Sequence, residues 1–291
     1  MAVVNTNISA SISQLSLAKN DRLLSKAMEQ LSTGKKINSA ADDAAGLAIS
    51  TRMTSQIIGL EQSIQNAHDA ISMVNTAEGA MIEVTAMLQR MRELTVQAAN
   101  GTNAEDDRTY LNMEYQNLAA EIERVAQNTQ WNGRDILTGS AASTSSSAVT
   151  FQVGANASET ITVTIGDISA SGNTKFGAFQ SGGTAATIAT TTAASAQTLS
   201  VSVLTSIDAA ITDVSSHRAN LGATTNQLTY AIDNLSNVVI NAEGTRSRLE
   251  DTDYAKATSE LARAQIIQQA GTAMLAQANQ LPQSVLQLLQ G

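Results

Sequence analysis

Apolar residues recur along this chain at steps of three and four over long stretches, and short polar breaks separate the stretches. The opening stretch has Ile8, Ile12 and Leu15 at helical spacing and, two turns on, Leu24, Met28 and Leu31. Ser39, Asp42 and Asp43 then offer side chains suited to a helix start. After them a second track runs Ile57, Leu60, Ile64, Ala67, Ile71 and Val74, and resumes after one irregular step at Met81, Val84, Leu88 and Met91. It predicts a helix of roughly 55 residues, about 80 Å long, stopped at Asn100 and Gly101 by a residue able to take positive φ. Thr102 and Glu105, at capping-box spacing, open a third helix with the seam Leu111, Tyr115, Leu118, Ile122 and Val125, which ends before the Asn132-Gly133 turn signal. Phe151 and Val153, then Ile161, Val163 and Ile165 alternating with Thr160, Thr162 and Thr164, predict one or two β-hairpins. Residues 167–198 have almost no apolar period and read as an exposed excursion. The return leg places Leu204, Ile207, Ile211, Val214, Leu221, Leu228, Ile232, Leu235 and Val239 on one heptad track, with Arg218 and Thr225 at two of its positions. The end carries Leu261, Ile266, Ile267, Met274 and Leu275, then Leu281, Val285, Leu286, Leu288 and Leu289.

This pattern predicts a mainly α chain: a long antiparallel helical bundle or coiled coil with a small β-hairpin region and a short central insertion. Neither end can cover its own apolar stripe, so the N- and C-terminal helices are expected to pair. The domains expected are 1–43 with 252–291 as a terminal helical domain, 44–166 with 199–251 as a bundle plus β-hairpin, and 167–198 as a short variable surface insertion. Of 291 residues, 43% are hydrophobic but only 3% aromatic, which suits helix seams better than a deep globular core. The net charge of −9, with 17 basic residues scattered among 26 acidic ones, excludes nucleic acid as a partner and disfavours an anionic membrane surface. No stretch reaches the roughly 18 apolar residues that span a bilayer, so no membrane insertion is expected. Residues 1–20 lack the pattern of a cleaved signal peptide, leaving the cytoplasm or an export route that reads none.

Candidate chemistry is sparse. The chain has no cysteine and two histidines, His68 and His217, each beside a helical seam, and no HExxH. Asp42-Asp43 and Glu105-Asp106-Asp107 sit at helix starts, where dipole complementarity accounts for them. Gly182-Gly183 has neither the lysine nor the strand-then-helix context of a phosphate loop. The reading is of a chain that is not an enzyme, with no catalytic residue, metal or cofactor.

Three stretches carry a resemblance: STGKKINSAADDAAGLAI (Ser32 to Ile49), LQRMRELTVQAANGT (Leu88 to Thr102) and AQIIQQAGTAMLAQANQLPQSVLQLL (Ala264 to Leu289). With RSRLEDTDYA (Arg246 to Ala255) they closely resemble bacterial flagellin over roughly residues 1–166 and 199–291. The resemblance implies a structural subunit that polymerises into the flagellar filament, the helical propeller of swimming bacteria. It also implies secretion through the flagellar type III apparatus without a cleaved signal peptide, to an extracellular filament. Terminal helices disordered in the monomer would line the filament lumen, and the bundle would form the tube. The implied partners are further copies of the chain, the flagellar cap and hook-filament junction proteins, an export chaperone at residues 246–291, and an animal Toll-like innate receptor.

Polymerisation is assigned to the terminal apolar residues Ile8, Ile12, Leu15, Leu24, Met28, Leu31, Ile267, Met274, Leu275, Leu281, Val285, Leu286 and Leu289. The receptor surface carried over from the family is Leu88, Gln89, Arg90, Leu94 and Glu114. Asn5, Thr6, Asn7, Ser9, Ser11, Ser13 and Ser16 are weak helix formers, so the first helix should need neighbours to be stable. The alternative is a hook-filament junction protein. Those commonly place proline after the two acids, where this chain has Ala44-Ala45-Gly46. A flagellin with a metalloprotease insert is excluded by the missing HExxH and the short middle, and a cytoplasmic signalling coiled coil leaves the weak first helix and the apolar C-terminus unexplained.

Overall fold

The computed structural model describes residues 7–139, 148–169, 172–177, 188 and 193–290, with the side chains of 193–200 and 281–290 outside the description. Helix α1 (Ile8–Thr33) is opened by Asn7, whose carboxamide oxygen accepts from Ala10 N at 3.0 Å, and closed by Gly34 at φ 72°, whose N–H donates to Gln30 O at 3.0 Å. Helix α2 (Ala44–Ala98) starts where Asp43 Oδ1 accepts from Gly46 N at 2.9 Å. A Cβ on Gly46 would lie 2.5 Å from Asp43 Oδ2 and 2.6 Å from Ile37 Cδ1, so this capped turn requires glycine. At 55 residues α2 has the expected length, but its stop is of another kind. Gly101 is absent from the positive-φ residues, which among the described residues are Gly34, Asn132, Gly133, Gly139 and Ser158. The chain leaves α2 through a tightened last turn, Asn100 N to Gln97 O at 3.1 Å, and the Asn103 side chain takes up the same carbonyl at 2.7 Å.

Helix α3 (Glu105–Asn128) has Ala104 at its N-cap, so the expected Thr102–Glu105 box does not form; instead Asp107 Oδ2 accepts from Ala104 N at 3.1 Å. Strands β1 (Gln130–Trp131) and β2 (Arg134–Asp135) pair antiparallel around Asn132 at φ 49° and Gly133 at φ 74°, the double left-handed turn that an Asn-Gly pair favours. Strands β3 (Ala148–Gln152) and β4 (Thr160–Thr164) pair with Val149 opposite Val163 and Phe151 opposite Ile161. On β4 the threonines are exposed and Val163 is buried, the alternation of a one-faced sheet. Helices α4 (Thr174–Gly177), α5 (Ala193–Glu250) and α6 (Tyr254–Gln290) complete the order.

Two compact units result: 58–239, and 1–57 with 240–291. They divide inside α2 and α5, where the pattern alone gave no reason to place a boundary. In the first, one cluster draws on α2 (Met81, Val84, Leu88, Met91, Leu94), α3 (Tyr115, Ile122) and α5 (Ile207, Val214, Leu221, Leu228). The α3 face is rotated from expectation: Tyr115, Ala119, Ile122 and Ala126 are buried, while Leu111, Leu118 and Val125 are only partly so. A second difference concerns the stretch read as a surface insertion, because Ile168, Phe176 and Ile188 are fully buried in this same core. The segment lacks period because it contributes single anchors and no repeating face.

Arg218 interrupts the α5 seam. Its guanidinium lies 3.6 Å from Glu78 on α2, and its Nε is buried with no hydrogen-bond partner. Arg218→Met keeps the apolar stem and removes the unsatisfied donor. It is expected to stabilise by about 1 kcal/mol, roughly 2–4 °C in thermal midpoint for a unit of this size. A lower midpoint by calorimetry would show instead that the pair with Glu78 is net stabilising.

Candidate assembly surface

In the second unit α1 and α6 run antiparallel against each other. The covered positions of α1 are Ala10, Ser13, Leu17, Asn20, Leu24, Ala27 and Leu31, at alternating steps of three and four. On α6 they are Ala257, Leu261, Ala264, Gln268, Gly271, Leu275 and Ala278, with the same alternation. Alanine or glycine fills every seventh place from 257 to 278, so the two backbones approach closely. Gly271 makes room for Leu17, whose Cδ1 would stand 3.3 Å from a Cβ there. Two asparagines reach across to main-chain carbonyls: Asn20 Nδ2 donates to Ala264 O at 2.7 Å and Asn7 Nδ2 to Ala278 O at 2.8 Å. A buried polar contact in such a seam fixes register.

The seam takes in five leucines but leaves many of the large apolar residues outside. Of the residues assigned to polymerisation, Leu24, Leu31 and Leu275 are half-buried in the pair. Ile8, Ile12, Leu15, Met28, Ile267 and Met274 face outward, between 45% and 63% exposed, joined by Leu23 and Ile266. Leu281, Val285, Leu286 and Leu289 lie outside the described side chains. Pattern reading missed Ala10, Asn20, Ala27, Ala257, Ala264 and Ala278, which are buried in the pair; for those on α6 the signal was the repeat of alanine or glycine at seven.

A strap ties this unit together between α1 and α2. Lys36 N donates to Glu250 O, Thr252 N to Gly34 O at 2.9 Å, and the Glu250 carboxylate takes Lys35 and the Ser50 hydroxyl, at 2.5 and 2.6 Å. Those contacts, Lys35 first, lower the Glu250 pKa. Asp42 pairs with Lys26 at 2.7 Å and accepts from the Ser39 hydroxyl and backbone. Its pKa falls from 3.8 to about 2, with Lys26 the largest cause. Because the folded value is the lower one, the stability from Asp42 is complete above pH 3.8 and lost as pH falls towards 2. Asp42→Asn is therefore expected to speed proteolytic cleavage of the 34–43 strap at neutral pH, and the difference from the parent should shrink steadily as the pH falls from about 4 towards 2. A difference that persists in acid would mean that the carboxylate charge is not what holds the strap.

The stretch carried over as a receptor surface is split by the structure. Gln89, Arg90 and Glu114 are exposed, and Arg90 bridges Glu114 at 2.8 Å and Glu93 at 3.1 Å. Leu88 and Leu94, in contrast, are completely buried in the core of the first unit. On α2 they fall on the seam that faces α3 and α5, so neither offers a surface to a partner. Among the described residues no cluster of acidic, histidine or cysteine groups could hold a metal ion, and no helix is long and apolar enough to cross a membrane.

Models of the bacterial flagellin N-terminal and C-terminal helical regions match residues 4–142 and 204–289. The chain is 43% identical to a flagellin of Halalkalibacterium halodurans, over 99% of each chain. It is 42% identical to a flagellin of Bacillus subtilis, over 98% of this chain and 99% of that one. A solved Vibrio parahaemolyticus structure described as a flagellar hook-associated protein aligns with 72% of this chain and 100% of its own, with TM-score 0.57. At 15% identity that likeness shows the helical fold alone.

Proposed function

The chain belongs to the bacterial flagellin family and is a structural subunit of the flagellar filament, and we propose that it polymerises through the paired helices α1 and α6. The observation that carries this is the outward placement of Ile8, Ile12, Leu15, Met28, Ile267 and Met274 around a seam in which alanine and glycine alternate with leucine and polar residues. Each such side chain gains about 1–2 kcal/mol on burial, and a neighbouring copy that covers them supplies that gain. The serine- and asparagine-rich start of α1 fits a helix whose order depends on those neighbours. The terminal helices, on this reading, line the lumen of an extracellular filament, and the 58–239 unit builds its outer tube. Electron microscopy after salt- or seed-induced assembly tests the proposal. Full-length protein should give long tubular filaments, and protein lacking 1–43 and 252–291 should give none; filaments from the truncated form would place the polymer contacts elsewhere.

Family likeness further supports export without a cleaved signal peptide, a chaperone at residues 246–291, contacts with cap and hook-filament junction proteins, and recognition of the free subunit by a Toll-like receptor. For the receptor, the exposed Gln89, Arg90 and Glu114 remain as candidate contacts. Depolymerised protein should activate a receptor-reporter cell, with Arg90→Ala and Glu114→Ala each lowering potency at least tenfold. Unchanged potency in both would remove this patch from the reading.

A further inference from the structure

The β1–β2 turn, β3 and α2 enclose a half-open pocket of about 560 Å³ with an apolar floor of Met73, Ile136 and Val149 and aromatic walls of Trp131 and Phe151. Arg134 and Asp69 stand at it, and Arg134 is exposed with no ion pair among the described residues. A pocket with two half-exposed aromatic walls, the Asp69 carboxylate on its α2 side and a guanidinium that makes no ion pair among the described residues suits an apolar or aromatic side chain whose negative charge meets Arg134.

One segment of this chain has that make-up. At the start of α3, Tyr110 and Met113 share a face and are 70% and 58% exposed. One turn before them stand the exposed carboxylates Glu105, Asp106 and Asp107. Asp107 is engaged with the backbone of Ala104, which leaves Glu105 and Asp106 free to pair. This segment cannot enter the pocket of its own chain, because the part of α3 between Tyr110 and Asn128 holds the two about 27 Å apart. Knob and pocket lie at opposite ends of one rigid helix, so a contact between them joins different copies head to tail. Such a heterologous contact does not close on itself and propagates an open polymer.

We propose that the Tyr110–Met113 knob of one copy docks in the Trp131–Phe151 pocket of the next, with Arg134 facing Glu105 and Asp106. The proposal rests on the filament reading and adds to it a specific contact in the 58–239 unit. Arg134 then discriminates between partners: it accepts the acidic start of α3 and disfavours basic segments.

Trp131 is the single tryptophan of the chain, so its emission reports on the pocket directly. On assembly of the full-length parent, the emission should move to shorter wavelength. In Tyr110→Ala assembled on parent seeds, most of that shift should be missing. Arg134→Asp and Asp106→Arg should each raise the critical concentration for assembly at least tenfold, with unchanged helical circular dichroism. The two together should restore it to within about threefold of the parent. The contact is overturned if Trp131 emission is the same in monomer and filament, if either single reversal assembles like the parent, or if the double variant is no better than the singles. A parent that fails to polymerise under any seeding would instead sink the filament reading itself.

Discussion

Filaments are expected to be absent from preparations of the Ile12→Asp, Leu15→Asp double variant, at concentrations where the parent polymerises completely. Both residues are about 60% exposed on α1, outside the Ala10–Leu17–Asn20–Ala27 seam. The two aspartates therefore sit in water in the free subunit and cost the pair little. If neighbours cover the same positions in the filament, as proposed above, each unpaired carboxylate would meet an apolar surface. Burying a charge without a partner costs several kcal/mol, and two per subunit raise the critical concentration more than about a thousandfold. Sedimentation and electron microscopy read the loss, and unchanged circular dichroism shows that the fold survives. Normal filaments from this variant would mean that the outer stripe of α1 is not an assembly surface.

The prediction depends on a distinction that periodicity blurred. Spacing marked Ile8, Ile12 and Leu15, and then Leu24, Met28 and Leu31, as one repeating pattern; what spacing did not reveal is that Leu24 and Leu31 enter the pair while Ile8, Ile12, Leu15 and Met28 face away from the partner helix. The most buried positions of the α1–α6 contact include Ala10, Ala27, Ala257, Ala264 and Ala278, which carry too little hydrophobic contrast to stand out beside large apolar residues. In the 58–239 unit the same scan succeeded, because Met81, Val84, Leu88, Met91, Leu221 and Leu228 are large, regularly spaced and truly buried. There the motif-based reading was the weaker guide, for it counted Leu88 and Leu94 as surface. The Asn132-Gly133 turn was legible because its backbone demands residues that tolerate positive φ, whereas the stop after α2 was made by Asn103 capping Gln97 and needed no such residue.

Phe176→Ala is expected to be among the most destabilising single changes in the chain, although the residue lies in a segment whose sequence looks like surface filler. Phe176 stands in the short α4 turn and is completely buried, in one cluster with Ile168 and Ile188 and with the seams of α2, α3 and α5. The turn is anchored from both sides: Asn173 Nδ2 donates to Asp167 O and to Asp213 Oδ2, both at 2.8 Å, and Lys175 pairs with Asp213. With the backbone held there, the neighbours cannot easily close over the space an alanine would leave. A buried phenylalanine cut to alanine costs about 3–5 kcal/mol, while a residue on an exposed loop stays within about 0.5 kcal/mol. For a unit of this size a loss of about 3–5 kcal/mol lowers the thermal midpoint by roughly 6–20 °C. Calorimetry of Phe176→Ala beside Lys175→Ala separates the two accounts. A drop confined to Phe176→Ala, with Lys175→Ala close to the parent, makes the central segment part of the core; a drop under 1 °C for both would return it to the surface.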